Sequence, residues 1–192
     1  MIAPLSADRF SVLVELVSSE RPSPSDRATS WAAAHAAARR TRNGRPHLDG
    51  IAAFGVSHTG CWTAYILANR KYVGVDLELQ LRPDVAGLER RLGRAVAGSD
   101  EVEVDFLSRW VLKEACVKGL GLRLLSTLRH VRLRTRHFPE QAREDARLFT
   151  VSIGRIGMVA MALDIGFGLL GIAYRDTYEP PSLRLVIDGC VR

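Results

Sequence analysis

Gly74-Val75-Asp76-Leu77-Glu78 is the stretch on which the reading of this chain turns. Apolar and acidic residues alternate in it. As a strand it sends Asp76 and Glu78 to one face and Val75 and Leu77 to the other. Further along, Trp110-Val-Leu-Lys113-Glu114-Ala-Cys-Val-Lys118 has helical spacing. Glu114 and Lys118 stand one turn apart on it, with Trp110 one turn before Glu114. Three acids and a lysine, brought together from a strand and a helix, make a donor set for a divalent cation and the phosphates it neutralises.

Outward from this pair, residues 10–18 (FSVLVELVS) predict a strand. Pro22 to Asp26 supplies proline and N-cap chemistry for a helix over 27–42, where the alanine-rich run ATSWAAAHAAARR has strong helix propensity and Asn43-Gly44 stops it. Residues 51–58, 61–68 and 71–79 predict three strands, with short turns at Thr59-Gly60 and Asn69-Arg70, hence an antiparallel meander. Helices over 84–97 and 100–119 then lead into strands at 130–136, 147–153, 157–163 and 168–175. The layout repeats, so the expected fold is α+β, with two pseudo-symmetric halves over 1–80 and 81–192. Each half carries a β-meander and packed helices, and one site lies where they meet. The last stretch, from Pro180-Pro181 onward, reads as an added edge strand or a loose tail.

The apolar run at 156–173 contains Asp164 and four glycines. It predicts two buried strands joined by a glycine turn rather than a membrane span. The N-terminus lacks the basic-then-apolar layout of a signal peptide. Cys61, Cys116 and Cys190 are odd in number, widely spaced and lack a CxxC pair, so they predict neither a disulfide framework nor a zinc site and point to a reducing cytoplasm. Cys116 lies about 200° round the helix from Glu114 and reads as a small buried residue. Among 192 residues, 27 lysines and arginines face 21 acids, for a net charge of +6. Such a surface suits nucleic acid, a phosphorylated small molecule or an acidic protein, and charge does not choose among them.

Mg²⁺ takes hard oxygen ligands, usually a few carboxylates plus substrate phosphates and water. Asp76, Glu78 and Glu114 supply that number; Mn²⁺ would accept the same set. Lys118 is placed to neutralise phosphates, and Lys113 to do so at the rim. A hydroxyl nucleophile would need a base, for which Glu114 and a metal-bound water are the candidates. The same residues also read as a solvated helix held by i,i+4 ion pairs beside an acidic strand.

These residues resemble the signature of the 4′-phosphopantetheinyl transferases, (V/I)G(V/I)D(I/V/L)E followed by W/F-x-x-K-E-A/S-x-x-K-x-x-G. Gly74, Asp76, Glu78, Trp110, Lys113, Glu114, Ala115, Lys118 and Gly121 occupy its diagnostic positions. Upstream, Asn43-Gly44-Arg45-Pro46 is similar to the family's G-K-P segment and Val56-Ser57-His58-Thr59-Gly60 to its S-H-S/T-G segment. The resemblance implies transfer of 4′-phosphopantetheine from coenzyme A to a serine of an apo acyl, peptidyl or aryl carrier protein, with Mg²⁺ and release of 3′,5′-ADP. It also implies the larger, monomeric, surfactin-synthetase-activating type. Carried over, Asp76, Glu78 and Glu114 become metal ligands, and Lys118 a pyrophosphate contact. Ser57 and His58 would meet the phosphates of the adenosine end. Arg45 and Pro46 would flank the adenine and 3′-phosphate, with Arg39 and Arg27 near that phosphate. Arg45 stands where the family has lysine, and the stretch before GVDLE is shorter than in that type. A relative that binds coenzyme A or a carrier protein without turnover is therefore the alternative. A nucleic-acid binder is a third reading, motivated by charge alone.

Overall fold

The structure, a computed structural model, describes residues 10–18, 38–40, 46–48, 51–80, 85–97, 103–135, 146–177, 179, 181–187 and 190–191. Its strands are β1 (Ser11–Ser18), β2 (Ala38–Arg40), β3 (Pro46–Leu48), β4 (Ala53–Thr59), β5 (Trp62–Ala68), β6 (Gly74–Leu79), β7 (Val131–Thr135), β8 (Ala146–Ile153), β9 (Ile156–Asp164), β10 (Gly168–Arg175), β11 (Ser182–Ile187) and β12 (Cys190–Val191). The helices are α1 (Val85–Ala97), α2 (Phe106–Leu120) and the short α3 (Leu124–Thr127). One five-stranded sheet runs β12-β11-β1-β5-β4, a second runs β6-β10-β9-β8-β7, and β2 and β3 form a separate ribbon. This is the expected α+β class. Among the described residues no helix is long and apolar enough to cross a membrane.

Alternation along the strands stacks the layers. Val12, Val14 and Leu16 of β1 and Ala64, Ile66 and Ala68 of β5 meet Val75, Leu77, Leu163, Leu170 and Ile172 in a core between the two sheets. Each valine, leucine or isoleucine among them, fully buried, contributes about 1.5–3 kcal/mol, so a slip of one residue in β6 would be heavily penalised. The opposite face of the second sheet carries Val131, Leu133, Val151, Met158 and Ala160 against Leu112, Ala115 and Cys116 of α2. Asp76 and Glu78 therefore point to the helix side, while Val75 and Leu77 point into the sandwich.

Glycine lets α2 come close. A Cβ on Gly74 would overlap the Ala115 carbonyl and the Gly119 amide, and one on Gly171 would strike Val111. The helix is sharply bounded. Asp105 caps its start, accepting from Ser108 N at 2.9 Å and Ser108 Oγ at 2.6 Å, and these bonds hold its carboxyl below the usual range despite burial. Gly121 ends it in the left-handed region at φ 74°, donating to Lys118 O and Val117 O.

Several expectations are met closely. The 59–62 hairpin forms with Thr59 opposite Trp62 and Gly60 at φ +55°, and 156–173 is the β9–β10 pair turning at Gly166. Others are corrected. Residues 38–40, read as the end of a helix, form β2 and pair antiparallel with 46–48. Asn43-Gly44 thus falls between two paired strands, where such a dipeptide is a hairpin signal, and alanine's helix propensity was too weak a prior. The earlier part of that helix, and its caps, lie outside the described residues. The meander does not extend to β6. β5 is already paired on both sides, by β1 and β4, so β6 crosses to the second sheet and pairs with β10. The terminal stretch supplies β11, which sits between β12 and β1 and runs parallel to β1. The second helix begins at Phe106, after the Asp105 cap, instead of at residue 100.

Replacing Gly74 by alanine should destabilise the protein by about 1–3 kcal/mol in urea unfolding, because backbone on α2 has no room to yield. Gly93→Ala, where a Cβ meets only Glu89 at ordinary contact distance, should instead gain about 0.5–1 kcal/mol from helix propensity.

Candidate active site

Two sheet edges meet at a seam. β4 closes one edge of the first sheet and β6 one edge of the second. Ser57 Oγ donates to Asp76 Oδ1 at 2.7 Å, and Thr59 Oγ1 donates to Glu78 Oε2 at 3.1 Å. The offset of 19 in both pairs means that the strands run in the same direction there. Hydroxyl–carboxylate bonds tie the strands side by side at these positions. The alternation that pairs Asp76 with Glu78 on β6 also pairs Ser57 with Thr59 on β4.

Lys118 closes the cluster from α2. Its ammonium lies 2.6 Å from Asp76 Oδ1, 3.1 Å from Glu114 Oε1 and 3.0 Å from Ser57 Oγ. Ser57 Oγ also accepts from Leu77 N at 3.2 Å. One donated and two accepted bonds use the whole capacity of a hydroxyl. Trp110 Nε1 donates to Glu78 Oε1 at 3.2 Å. Asp76 and Glu78 are buried, at 2% and 7% exposure, while the Lys118 side chain is one-third exposed. Beside Lys118 opens a cavity of about 350 Å³, lined by residues 52–56, 71–75 and 118–120.

The electrostatics are unbalanced toward the acids. Burial, followed by repulsion from Asp76, raises the Glu114 pKa to about 7, although Lys118 opposes the shift. Burial works against the Lys118 ammonium, but Asp76 and Glu114 outweigh it and its pKa ends raised. Asp76 Oδ2 is buried with no hydrogen-bond partner among the described residues. A left-over buried carboxylate oxygen, in a site with three acids and one ammonium, is the donor chemistry of a divalent cation. Among the described residues no three acidic, histidine or cysteine side chains form a ready-made cage. Lys118 stands between Asp76 and Glu114 instead. Mg²⁺ commonly takes one or two carboxylates and completes its shell with phosphate and water, so the residues fit it without a cage.

The structure thus brings together Asp76, Glu78, Glu114, Lys118 and Ser57. It sets His58 and Lys113 apart from them. His58 is exposed on the opposite face of β4 from Ser57 and Thr59. Lys113, expected at the rim, is fully buried, about 140° round α2 from Lys118. Ser57, expected against substrate phosphates, has its hydroxyl committed to Asp76, Leu77 and Lys118. Arg39 and Pro46 lie in the β2–β3 ribbon, whose backbone register pairs Arg39 with His47 and Arg40 with Pro46. Arg45 and Arg27 lie outside the described residues. Cys116 is buried against α2's apolar partners, and burial pushes its thiol pKa up, which suits an inert core residue. Thr59 and Trp110 joined the cluster without having been assigned a role. The period of two in Ser57-His58-Thr59 was the signal for the first, and the one-turn spacing from Trp110 to Glu114 for the second.

No family model matches the chain. Over 119 residues it is 34% identical to a Haemophilus influenzae protein named "Putative 4'-phosphopantetheinyl transferase". The alignment takes in 53% of this chain and 46% of that one, so the chain spans about half the length of the curated relative it matches. This similarity supports the superfamily that the motifs resemble.

The raised Glu114 pKa sets a pH dependence with a definite sign. The folded state holds the Glu114 proton more tightly than the unfolded chain, so this group's contribution to stability is fully present below about pH 4.5 and is lost as pH rises to about 7. In chelator-containing buffer, thermal unfolding should lose on the order of 2 kcal/mol across that window. Glu114→Gln should flatten the slope, and an unchanged slope in that variant would assign it to other groups.

Proposed function

We propose that this protein transfers 4′-phosphopantetheine from coenzyme A to a serine hydroxyl of an apo carrier protein, releasing 3′,5′-ADP. The observation that carries the reading is the Asp76–Ser57–Lys118–Glu114 cluster at an open seam, built from the residues the motifs single out. The similarity to the Haemophilus protein supports the same reading. We take the site as the meeting of two halves, 1–80 and 81–192, with Asp76 and Glu78 from one and Glu114 and Lys118 from the other.

Asp76, Glu78 and Glu114 would hold Mg²⁺ or Mn²⁺, which supplies charge withdrawal from the pyrophosphate and eases departure of the leaving phosphate. Lys118, partly exposed beside the cavity, turns its ammonium from the carboxylates to the incoming phosphates. Glu114 takes the serine proton as the oxygen forms its bond to the phosphorus bearing pantetheine. The bond from that phosphorus to the bridging oxygen breaks, and the electron pair leaves on 3′,5′-ADP. Burial of Asp76 and Glu78 keeps water from competing for those groups and strengthens each charge interaction. Arg45, Pro46, Arg39 and His58 belong in this reading to the adenosine end, and Lys113 to the support of α2.

The partners are coenzyme A and an acidic carrier protein, met by a chain of net charge +6. We take the active form to be a monomer. A cytoplasmic setting agrees with free thiols at Cys61 and Cys116.

Incubation with coenzyme A, Mg²⁺ and several apo carrier proteins should add the phosphopantetheine mass to the carrier. Asp76→Asn and Glu114→Gln should each lower the rate at least about a hundredfold, and added salt should slow encounter with the carrier. Coenzyme A binding with no mass gain on any carrier would favour the non-catalytic relative instead.

A further inference from the structure

Glu78 is held differently from its partner Asp76. Lys118 answers Asp76 with a full positive charge. The partners of Glu78 include two neutral donors, the Trp110 indole on Oε1 and the Thr59 hydroxyl on Oε2. The donors come from two different elements, α2 and β4, on either side of β6. Together they restrain the plane of a side chain with three rotatable bonds.

Both donors are themselves anchored. Trp110 is 6% exposed, packed in the core between α1 and α2 and stacked on Phe106 at 6.3 Å between centroids. Thr59 is 7% exposed and sits at the end of β4, where the Gly60 turn ties it opposite Trp62. Neither side chain is positioned to reach into the cavity beside Lys118, which is lined by other residues.

We infer that Thr59 and Trp110 are positioning residues that orient Glu78 as a ligand for a divalent cation, acting through Glu78 and touching neither substrate nor metal. The inference rests on the reading that these carboxylates hold the ion. Outer partners of metal-binding carboxylates typically change affinity 10- to 100-fold when removed. A purely structural role would cost stability and leave metal affinity alone.

The test is titration of the full chain with Mn²⁺ alone, followed by calorimetry, with folding checked by circular dichroism. Thr59→Val keeps the shape and removes the donor; Trp110→Phe keeps a stacking ring and removes the N–H. Each should weaken Mn²⁺ binding about tenfold, and Thr59→Ser should restore it. Should Trp110→Phe fail to fold, Thr59→Val against Thr59→Ser decides alone. Unchanged affinity in Thr59→Val, alongside loss of binding in Asp76→Asn, would overturn the positioning role and leave the metal reading intact. Wild-type affinity in Asp76→Asn would overturn both.

Discussion

The close approach of α2 to β6 is the constraint on which the site depends. Gly74 and Gly119 let two backbones pass where no side chain fits, and Gly171 does the same for β10 against Val111. Only at that separation does a lysine one turn beyond Glu114 reach Asp76 with a 2.6 Å contact. The caps at Asp105 and Gly121 fix where the helix begins and ends, and so which residues face the sheet. With the helix further out, the acids would face water and their charges would be screened.

The second device is the seam. Two sheets present edges to one another, and side-chain hydroxyls pair with carboxylates across the gap. This leaves charged groups buried yet close to an opening, an arrangement that favours binding over stability. Lys118 offsets part of the repulsion. The remainder appears as a proton held by Glu114 up to about pH 7 and as Asp76 Oδ2, which has no partner among the described residues. A cation and anionic phosphates entering together would relieve both.

Local patterns made much of this legible. Alternation in GVDLE put both acids on one face, and helical spacing put Glu114 beside Lys118. The strands from 131 to 175 fell within a residue or two of their expected places. What stayed hidden was nonlocal. Nothing near residue 74 says that β5 is already paired on both sides, or that β11 will lie beside β1. The orientation of His58 follows from alternation once Ser57 is known to face the seam, but nothing before that chooses the face. Lys113 looked exposed because lysine usually is; its burial depends on which face of α2 meets the sheet. The strand at 38–40 was obscured by alanine, whose helix propensity is only a weak bias.

The central claim is that the acid cluster and the pyrophosphate of coenzyme A share one metal ion. Electron–nuclear double resonance on protein-bound Mn²⁺ measures this directly through ³¹P coupling. On adding coenzyme A, the wild-type protein should acquire ³¹P coupling at the bound ion, and Asp76→Asn should not. Tight binding of coenzyme A with no phosphorus coupling to protein-bound Mn²⁺ would contradict the account.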